Sequence, residues 1–122
     1  YERAGVGPED MDVAEVHDAT AMGEIMQVEN LGFCDFGDGG AAAERGDTLL
    51  GGRVPVNPSG GLECKGHPIG ATGLCQIYEL TMQLRGEAGA RQVERARMAI
   101  AENGGGLYGI EESVAAITIL GR

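Results

Sequence analysis

Apolar positions in the first third of the chain predict a short strand followed by a helix. The segment 12–17 carries two valines among polar residues, which is typical of a strand. Residues 19–30 place apolar side chains at helical spacing and predict one buried stripe. That stripe consists of Met22, Ile25 and Met26. Asp18 or Thr20 can cap the helix, and Gly32 lies where a glycine is expected to end it.

The second half of the chain predicts one long helix and two strands. Residues 70–85 repeat apolar positions at helical spacing, and Gly86 is expected to stop the helix. The stripe of this helix consists of Leu74, Ile77, Thr81 and Leu84. Segments 97–102 and 113–120 are predicted strands, joined by residues 103–109. The second strand is apolar and β-branched enough to be buried.

Between these regions, residues 35–53 contain six glycines and no clear periodicity. We expect a long surface loop there, and such loops in compact domains are often functional. The order of strands and helices places the chain in the α/β class. Its 122 residues are the length of one domain.

Composition excludes several classes of protein. The formal net charge is −10, which argues against nucleic-acid binding because that needs a basic surface. The three cysteines and two histidines form neither a disulfide framework nor a zinc pattern, so we expect no metal and a reducing, cytoplasmic location. No apolar run is long enough to span a membrane.

The candidate chemistry lies in residues 55–73, which are rich in glycine and proline and contain one histidine, His67. Glycines permit close backbone approach and prolines fix the direction of the chain. Such a turn can hold an imidazole near a helix N-terminus, where the dipole favours an oxyanion. The alternative is a simple connecting turn. The spacing matches neither a P-loop nor a dinucleotide fingerprint.

Four motifs resemble those of the thiolase superfamily. Residues 57–61 read Asn-Pro-Ser-Gly-Gly, and residues 66–73 read Gly-His-Pro-Ile-Gly-Ala-Thr-Gly. Residues 83–93, beginning Gln-Leu-Arg-Gly-Glu-Ala-Gly, narrow the similarity to the sterol-carrier and lipid-transfer type of thiolase. Val16–Thr20 resembles the H-D-C-F block of that branch. The resemblance covers nearly the whole chain.

The resemblance implies a fold and a place in a longer protein. Thiolases consist of two similar halves, each a mixed sheet flanked by helices, with the nucleophilic cysteine in the N-terminal half. Residues 1–122 resemble a C-terminal domain. We expect a fragment that lacks the first strand and most of the first helix of this half, and that is inactive by itself.

The resemblance also assigns roles to residues. His67 is expected to take the proton from the nucleophilic cysteine, a role that suits an imidazole near neutral pH. His17 is expected to help hold the thioester oxygen, directly or through water, although a structural role at a strand end is the alternative. The predicted substrate-binding residues are Asn57, Gly66, Gly70 and Gly105. Asn57 is equally compatible with a turn-forming role.

Two positions depart from the family pattern. The second acid or base of this branch is the cysteine of H-D-C-F, and Ala19 stands there. In other thiolases that role falls to the cysteine of C-x-G-G-G, where this chain has Glu102, or Asn103 if the alignment shifts by one. Glu102 is therefore one possible acid or base residue. Tyr108, which follows the glycines at 104–106, is the other.

The function implied is making or breaking a carbon–carbon bond in a coenzyme A thioester, as a thiolase-type acyltransferase. One alternative is a retro-aldolase of the lipid-transfer-protein type that acts on acyl-CoA side chains. Another is a catalytically inactive, thiolase-like scaffold subunit. We expect a coenzyme A thioester as substrate and no tightly bound cofactor. The expected partners are a second copy, as a homodimer, and a small protein with a zinc ribbon and an oligonucleotide-binding-type (OB) fold.

Overall fold

A computed structural model describes residues 1–106, 108–109 and 113–122. Its centre is a mixed three-stranded sheet. The strands are β1 (Val13–Glu15), β2 (Met98–Gly105) and β3 (Val114–Gly121). Their spatial order is β1-β2-β3, with β1 parallel to β2 and β2 antiparallel to β3. The predicted α/β class with a mixed sheet flanked by helices is confirmed.

The described residues form four α-helices. They are α1 (Ala21–Asn30), α2 (Gly39–Arg45), α3 (Gly61–Lys65) and α4 (Thr72–Arg85). Single 3-10 turns at Pro8–Asp10 and Gly89–Arg91 complete the regular structure.

The core is divided by the sheet, because successive strand residues point to opposite faces. One cluster forms around Ala14 and Ile100 and includes residues from α1 and the segment after it: Val28, Leu31 and Phe33. The other forms around Val13 and Ala99 and includes the α4 and loop residues Leu80, Leu84 and Val93. The two clusters place α1 and α4 on opposite faces of the sheet.

Local end signals in the sequence identified the ends of α1 and α4 correctly, whereas the two helices begin at residues 21 and 72 and not at the predicted 19 and 70. The Thr20 hydroxyl accepts a hydrogen bond from the Gly23 amide at 3.0 Å and caps α1. Gly32 and Gly86 follow α1 and α4 with φ of 77° and 76°, in the left-handed region that glycine adopts easily.

The apolar stripes were predicted less well. Met22 and Met26 are exposed, and Val28 is the buried residue of α1. Leu74 of α4 is 71% exposed, while the helix buries polar side chains beside two leucines. The buried residues of α4 are Thr72, Gln76, Glu79, Leu80, Gln83 and Leu84. Periodicity failed here because polar side chains of this face pair with groups outside the helix, such as Arg91 for Glu79 and the Glu102 carbonyl for Gln76.

Residues 35–53 are not irregular throughout, because α2 lies within them. Its alanines favour a helix, and Ala42 is buried. Glu29 of α1 accepts a hydrogen bond from the Gly39 amide at 2.9 Å, which attaches the start of α2 to α1. A further short helix, α3, lies inside the glycine-rich segment that was predicted only as a turn.

The two C-terminal strands also differ from expectation. β2 continues to Gly105, so residues 103–105 are strand and not connection. The prediction that segment 113–120 is buried was wrong, since residues 114–118 of β3 are exposed. β3 is the outer strand of the described sheet, and only Ile119 and Leu120 pack against the core clusters.

Candidate active site

His17 lies just beyond the carboxyl end of β1, where two hydrogen bonds fix the backbone. The amide of Val16 donates to Asn57 Oδ1 at 2.8 Å. The amide of His17 donates to Glu102 Oε2 at 2.9 Å. These bonds connect the end of β1 to the loop before α3 and to β2. The backbone of His17 is therefore held by two other parts of the chain.

His67 is held by the loop that joins α3 to α4. Its Nδ1 lies 2.7 Å from the buried hydroxyl of Thr72, the first residue of α4. The same hydroxyl lies 3.4 Å from the carbonyl of Pro68 and donates to it. A hydroxyl has one proton and a carbonyl can only accept, so both contacts are satisfied when His67 Nδ1–H donates to Thr72. That tautomer leaves Nε2 free to accept a proton.

The two imidazoles contact each other although they belong to different loops. Their ring centroids are 4.8 Å apart, with an angle of 67° between the planes. Both rings line one open groove of about 1000 Å³. Its walls carry mostly small or apolar side chains, among them Ala19, Gly70, Gly73, Gly104, Gly105, Gly106 and Ala116. A bulky ligand can therefore approach the histidine pair closely.

Two amide side chains that were not among the predicted site residues, the buried Gln76 and the half-buried Asn103, also line the groove. Gln76 of α4 donates a hydrogen bond from Nε2 to the Glu102 carbonyl at 2.7 Å. The Oε1 atom of the Gln76 amide takes no part in this bond. Gln76 Oε1, Asn103 Oδ1 and His17 Nδ1 are buried without a hydrogen-bond partner among the residues described. Such atoms usually pair with water or ligand. The signal available in the sequence for this part of the site was the polar Gln76 on the side of α4 that faces the sheet.

A buried aspartate holds the start of α3, the helix that precedes the His67 loop. Asp18 Oδ1 accepts a hydrogen bond from the Leu62 amide at 2.6 Å, at the N-terminus of α3. Gly61 has φ of 61°, and a Cβ there would collide with the Asp18 carboxylate. The glycine is required for this close approach. Asp18, a possible α1 cap by sequence, caps α3 instead, while Thr20 caps α1.

Two further carboxylates, the buried Glu15 and the half-buried Glu24, interact with the loops around the site. Burial raises the pKa of Glu15, and hydrogen bonds from Ser59 together with Lys65 lower it only in part. Burial also raises the pKa of Glu24, which accepts a hydrogen bond from Asn57 Nδ2 at 2.8 Å. These groups brace the loops and do not line the groove in the part of the chain that is described.

The predicted site residues are thus only partly brought together. His17, His67, Gly70 and Gly105 line the groove. The remaining four, as far as the described chain shows, do not: Asn57, Gly66, Glu102 and Tyr108.

Each of these four has a different position. The Asn57 side chain is committed to Val16 and Glu24, and its φ of 50° fits the alternative of a turn former. Gly66 follows α3 with φ of 84°. Glu102 is 1% exposed and bonded to the His17 amide, and Tyr108 is 81% exposed.

Thiols and metal ligands do not converge on the groove. Cys34, Cys64 and Cys75 are free, and none is among the described residues that line it. Within the described ranges, no group of three or more His, Cys, Asp or Glu side chains is placed to hold a metal ion. The helices described are all too short or too polar to cross a membrane.

Comparison with known proteins identifies the family. The family profile described as Thiolase C-terminal domain-like matches residues 1–122. Sterol carrier protein 2 of Rattus norvegicus is 54% identical over 103 residues, which are 84% of this chain and 19% of that protein. An acetyl-CoA acetyltransferase of Methanothermobacter thermautotrophicus is 48% identical over 122 residues, which are 100% of this chain and 31% of that protein.

A solved structure titled Ltp2-ChsH2(DUF35) aldolase is also similar, with a TM-score of 0.73 and 26% identity over 84% of this chain and 26% of that chain. The chain thus spans between about a fifth and a third of the length of these relatives. The match extends over every residue of the sequence, and the chain belongs to the thiolase C-terminal domain-like family.

Proposed function

We propose that the groove is part of an active site that makes or breaks a carbon–carbon bond beside the carbonyl of a coenzyme A thioester. The observation that carries the proposal is the pair His17 and His67, 4.8 Å apart in an open groove walled by small residues. The acetyl-CoA acetyltransferase that is similar over the whole chain supports the same substrate class. Coenzyme A enters as substrate, with no tightly bound cofactor.

His67 acts as the proton acceptor of the first step. Thr72 holds its Nδ1, so Nε2 is presented to the groove. In a thiolase route, Nε2 takes the proton of the nucleophilic thiol, which then attacks the acyl carbonyl and carries the acyl group covalently. We place that thiol on a cysteine from the half of the protein that precedes this domain.

His17 supports the charge that develops on the thioester oxygen. A preorganised donor at such an oxygen is typically worth about 3 kcal/mol of activation free energy. His17 is suited to this role because the hydrogen bonds of Val16 and His17 hold the backbone before substrate arrives. Water can complete the contact.

A retro-aldolase is the second candidate, favoured by two observations. The resemblance places a second cysteine of a thiolase in this half, and the groove carries no thiol among its described lining residues. The solved structure of similar fold is titled an aldolase. In that reaction a base removes the proton of a β-hydroxyl group, the neighbouring carbon–carbon bond breaks, and no covalent acyl-enzyme forms. We keep a homodimer and a small zinc-ribbon partner as further proposals.

Intact-protein mass spectrometry of the full-length gene product separates these routes. The protein is incubated with acetoacetyl-CoA, and separately with a 3-hydroxyacyl-CoA. A mass increase equal to an acyl group, together with cleavage of the 3-ketoacyl thioester, supports the thiolase route. Cleavage of the 3-hydroxyacyl thioester with no adduct supports the aldolase. Binding of both thioesters without any cleavage would contradict an enzymatic function and favour a scaffold.

A further inference from the structure

The proposed reaction needs a second proton transfer, which His67 does not provide. When the carbon–carbon bond breaks, the α-carbon of the leaving thioester must receive a proton. Sequence comparison leaves this role open, because Ala19 has no proton to give and Glu102 or Asn103 replaces a cysteine. The inference below rests on the proposed function and fills this gap.

The residues that line the groove leave few choices. Among the described ones, His17 and His67 are the titratable side chains, and the others are glycine, alanine, aliphatic, hydroxyl or amide groups. The carboxylate of Glu102 is buried and accepts the hydrogen bond of the His17 amide. The Tyr108 side chain is highly exposed and not among the described residues that line the groove.

The geometry of His17 allows it to act on a carbon in the groove. Its Nδ1 is buried, so a proton that is exchanged with the groove passes through Nε2. Its ring contacts the ring of His67 edge to face, and both imidazoles line the same groove. The backbone bond to Glu102 holds the ring in this place without using either ring nitrogen.

We propose that His17 is the second acid and base of the site. In the cleavage direction, the electron pair of the broken carbon–carbon bond stays on the α-carbon as a thioester enolate. His17, protonated at Nε2, gives that proton to the α-carbon and becomes neutral. In the reverse direction, neutral Nε2 removes the α-proton, and the electron pair of the C–H bond passes into the enolate. The Nε2–H formed in this way then donates a hydrogen bond to the enolate oxygen, so the two roles of His17 follow one another. Glu102 is a positioning residue in this scheme.

Exchange of the α-proton measures this step directly and is common to the thiolase and aldolase routes. The full-length gene product is incubated with acetyl-CoA or propionyl-CoA in D₂O, and deuterium at the α-carbon is followed by mass spectrometry. His17→Asn and His17→Gln keep an N–H donor but lose the titratable nitrogen. We expect both variants, like His17→Ala, to slow exchange at least about 100-fold.

Controls separate catalysis from folding and from the competing tyrosine. Circular dichroism verifies that each variant is folded. Two amide variants are made so that the test still stands if one of them does not fold. Tyr78→Phe, in a separate cavity beside Cys75, is expected to exchange like the wild type. Tyr108→Phe is the competing variant, and we expect it to slow exchange far less than His17→Asn.

Three results would overturn the inference. Exchange by a folded His17→Asn or His17→Gln protein within about tenfold of the wild type would make His17 a hydrogen-bond donor only. Loss of exchange in Tyr108→Phe with retention in His17→Asn would move the role to Tyr108. Absence of exchange in the wild-type protein with both thioesters would contradict the proposed function itself, and the inference with it.

Discussion

At the residue scale, the site depends on two imidazoles, which are held in place by hydrogen bonds. Thr72 holds His67 through Nδ1, and backbone hydrogen bonds hold His17. The histidines themselves were predicted from their motifs. Their contact, and the role of Thr72 and Gln76, depend on how separate loops meet, which local patterns do not record.

Substitution of Thr72 tests the orientation of His67. Thr72→Val removes the hydroxyl and keeps the shape, so we expect carbon–carbon cleavage to slow about tenfold or more, as loss of roughly 1.4 kcal/mol of hydrogen bonding would do. Thr72→Ser keeps the hydroxyl and is expected to retain most activity. The measurement is kcat with both variants, and equal rates for valine and serine would exclude the orienting role.

Burial of Glu15 predicts a dependence of stability on pH. Burial raises its pKa above the ordinary value of 4.5, so the folded protein binds this proton more tightly than the unfolded chain. Ionised Glu15 therefore lowers the free energy of unfolding above the raised pKa, and this loss disappears as the pH falls toward 4.5.

Glu15→Gln removes this pH-dependent loss of stability. The free energy of unfolding of the variant minus that of the wild type is therefore expected to be larger, in favour of the variant, at about pH 8 than at about pH 5. Urea denaturation of both proteins at the two pH values measures the difference. A difference that is constant, or that grows at the acidic pH, would contradict a raised pKa.

At the element scale, the sequence predicts where helices begin and end better than which face they bury. Thr20, Gly32 and Gly86 act within one turn of the chain, so their signals are local. The polar face of α4 is not local. Gln83 accepts a hydrogen bond from the Val93 amide at 2.8 Å and donates to the Arg91 carbonyl at 2.8 Å.

The motif that begins at Gln83 also depends on contacts that are not local. Glu79 pairs with Arg91 at 2.9 Å, so part of the buried face of α4 packs against a polar loop, beside the apolar contacts of Leu80 and Leu84. A hydrophobic stripe cannot predict such a face, because its stability comes from hydrogen bonds that exist only after the loop has folded back.

The short helix α3 provides a test at this scale. Gly61→Ala would place a methyl group against the Asp18 carboxylate and disturb its bond to the Leu62 amide. We expect the free energy of unfolding to fall by about 2 kcal/mol or more. Gly89→Ala is the matched control, because Gly89 also has φ of 61° but its Cβ would meet nothing within 4 Å.

The control is expected to cost only the backbone strain, roughly 1–2 kcal/mol. Chemical denaturation measures both variants. Equal losses for Gly61→Ala and Gly89→Ala would show that contact with Asp18 contributes nothing beyond the conformation of the backbone.

At the scale of the whole molecule, the sheet has one surface that its sequence did not reveal. The composition of β3 is that of a buried strand, yet residues 114–118 are exposed. Burial of a strand depends on what covers it. Within β3, only Ile119 and Leu120 pack against the two core clusters. An uncharged outer strand is a template for pairing with another chain.

A lysine on β3 tests whether this edge drives self-association. Ile117 is 49% exposed, and we expect Ile117→Lys to reduce concentration-dependent association of the purified protein, since a charge opposes pairing of apolar strands. Phe36→Lys is the control, because Phe36 is exposed away from β3. Sedimentation velocity measures both. Equal association of the two variants would exclude β3 as the contact.

The central claim is that an acyl thioester binds in the groove against His17 and His67. A ¹H–¹⁵N NMR titration of the protein with acetyl-CoA tests it most directly. We predict that signals of His17, His67 and Gly105 shift together, while those of Cys75 and Tyr78 in the separate cavity stay unchanged. Shifts around Tyr78 with none at the two histidines would contradict the account.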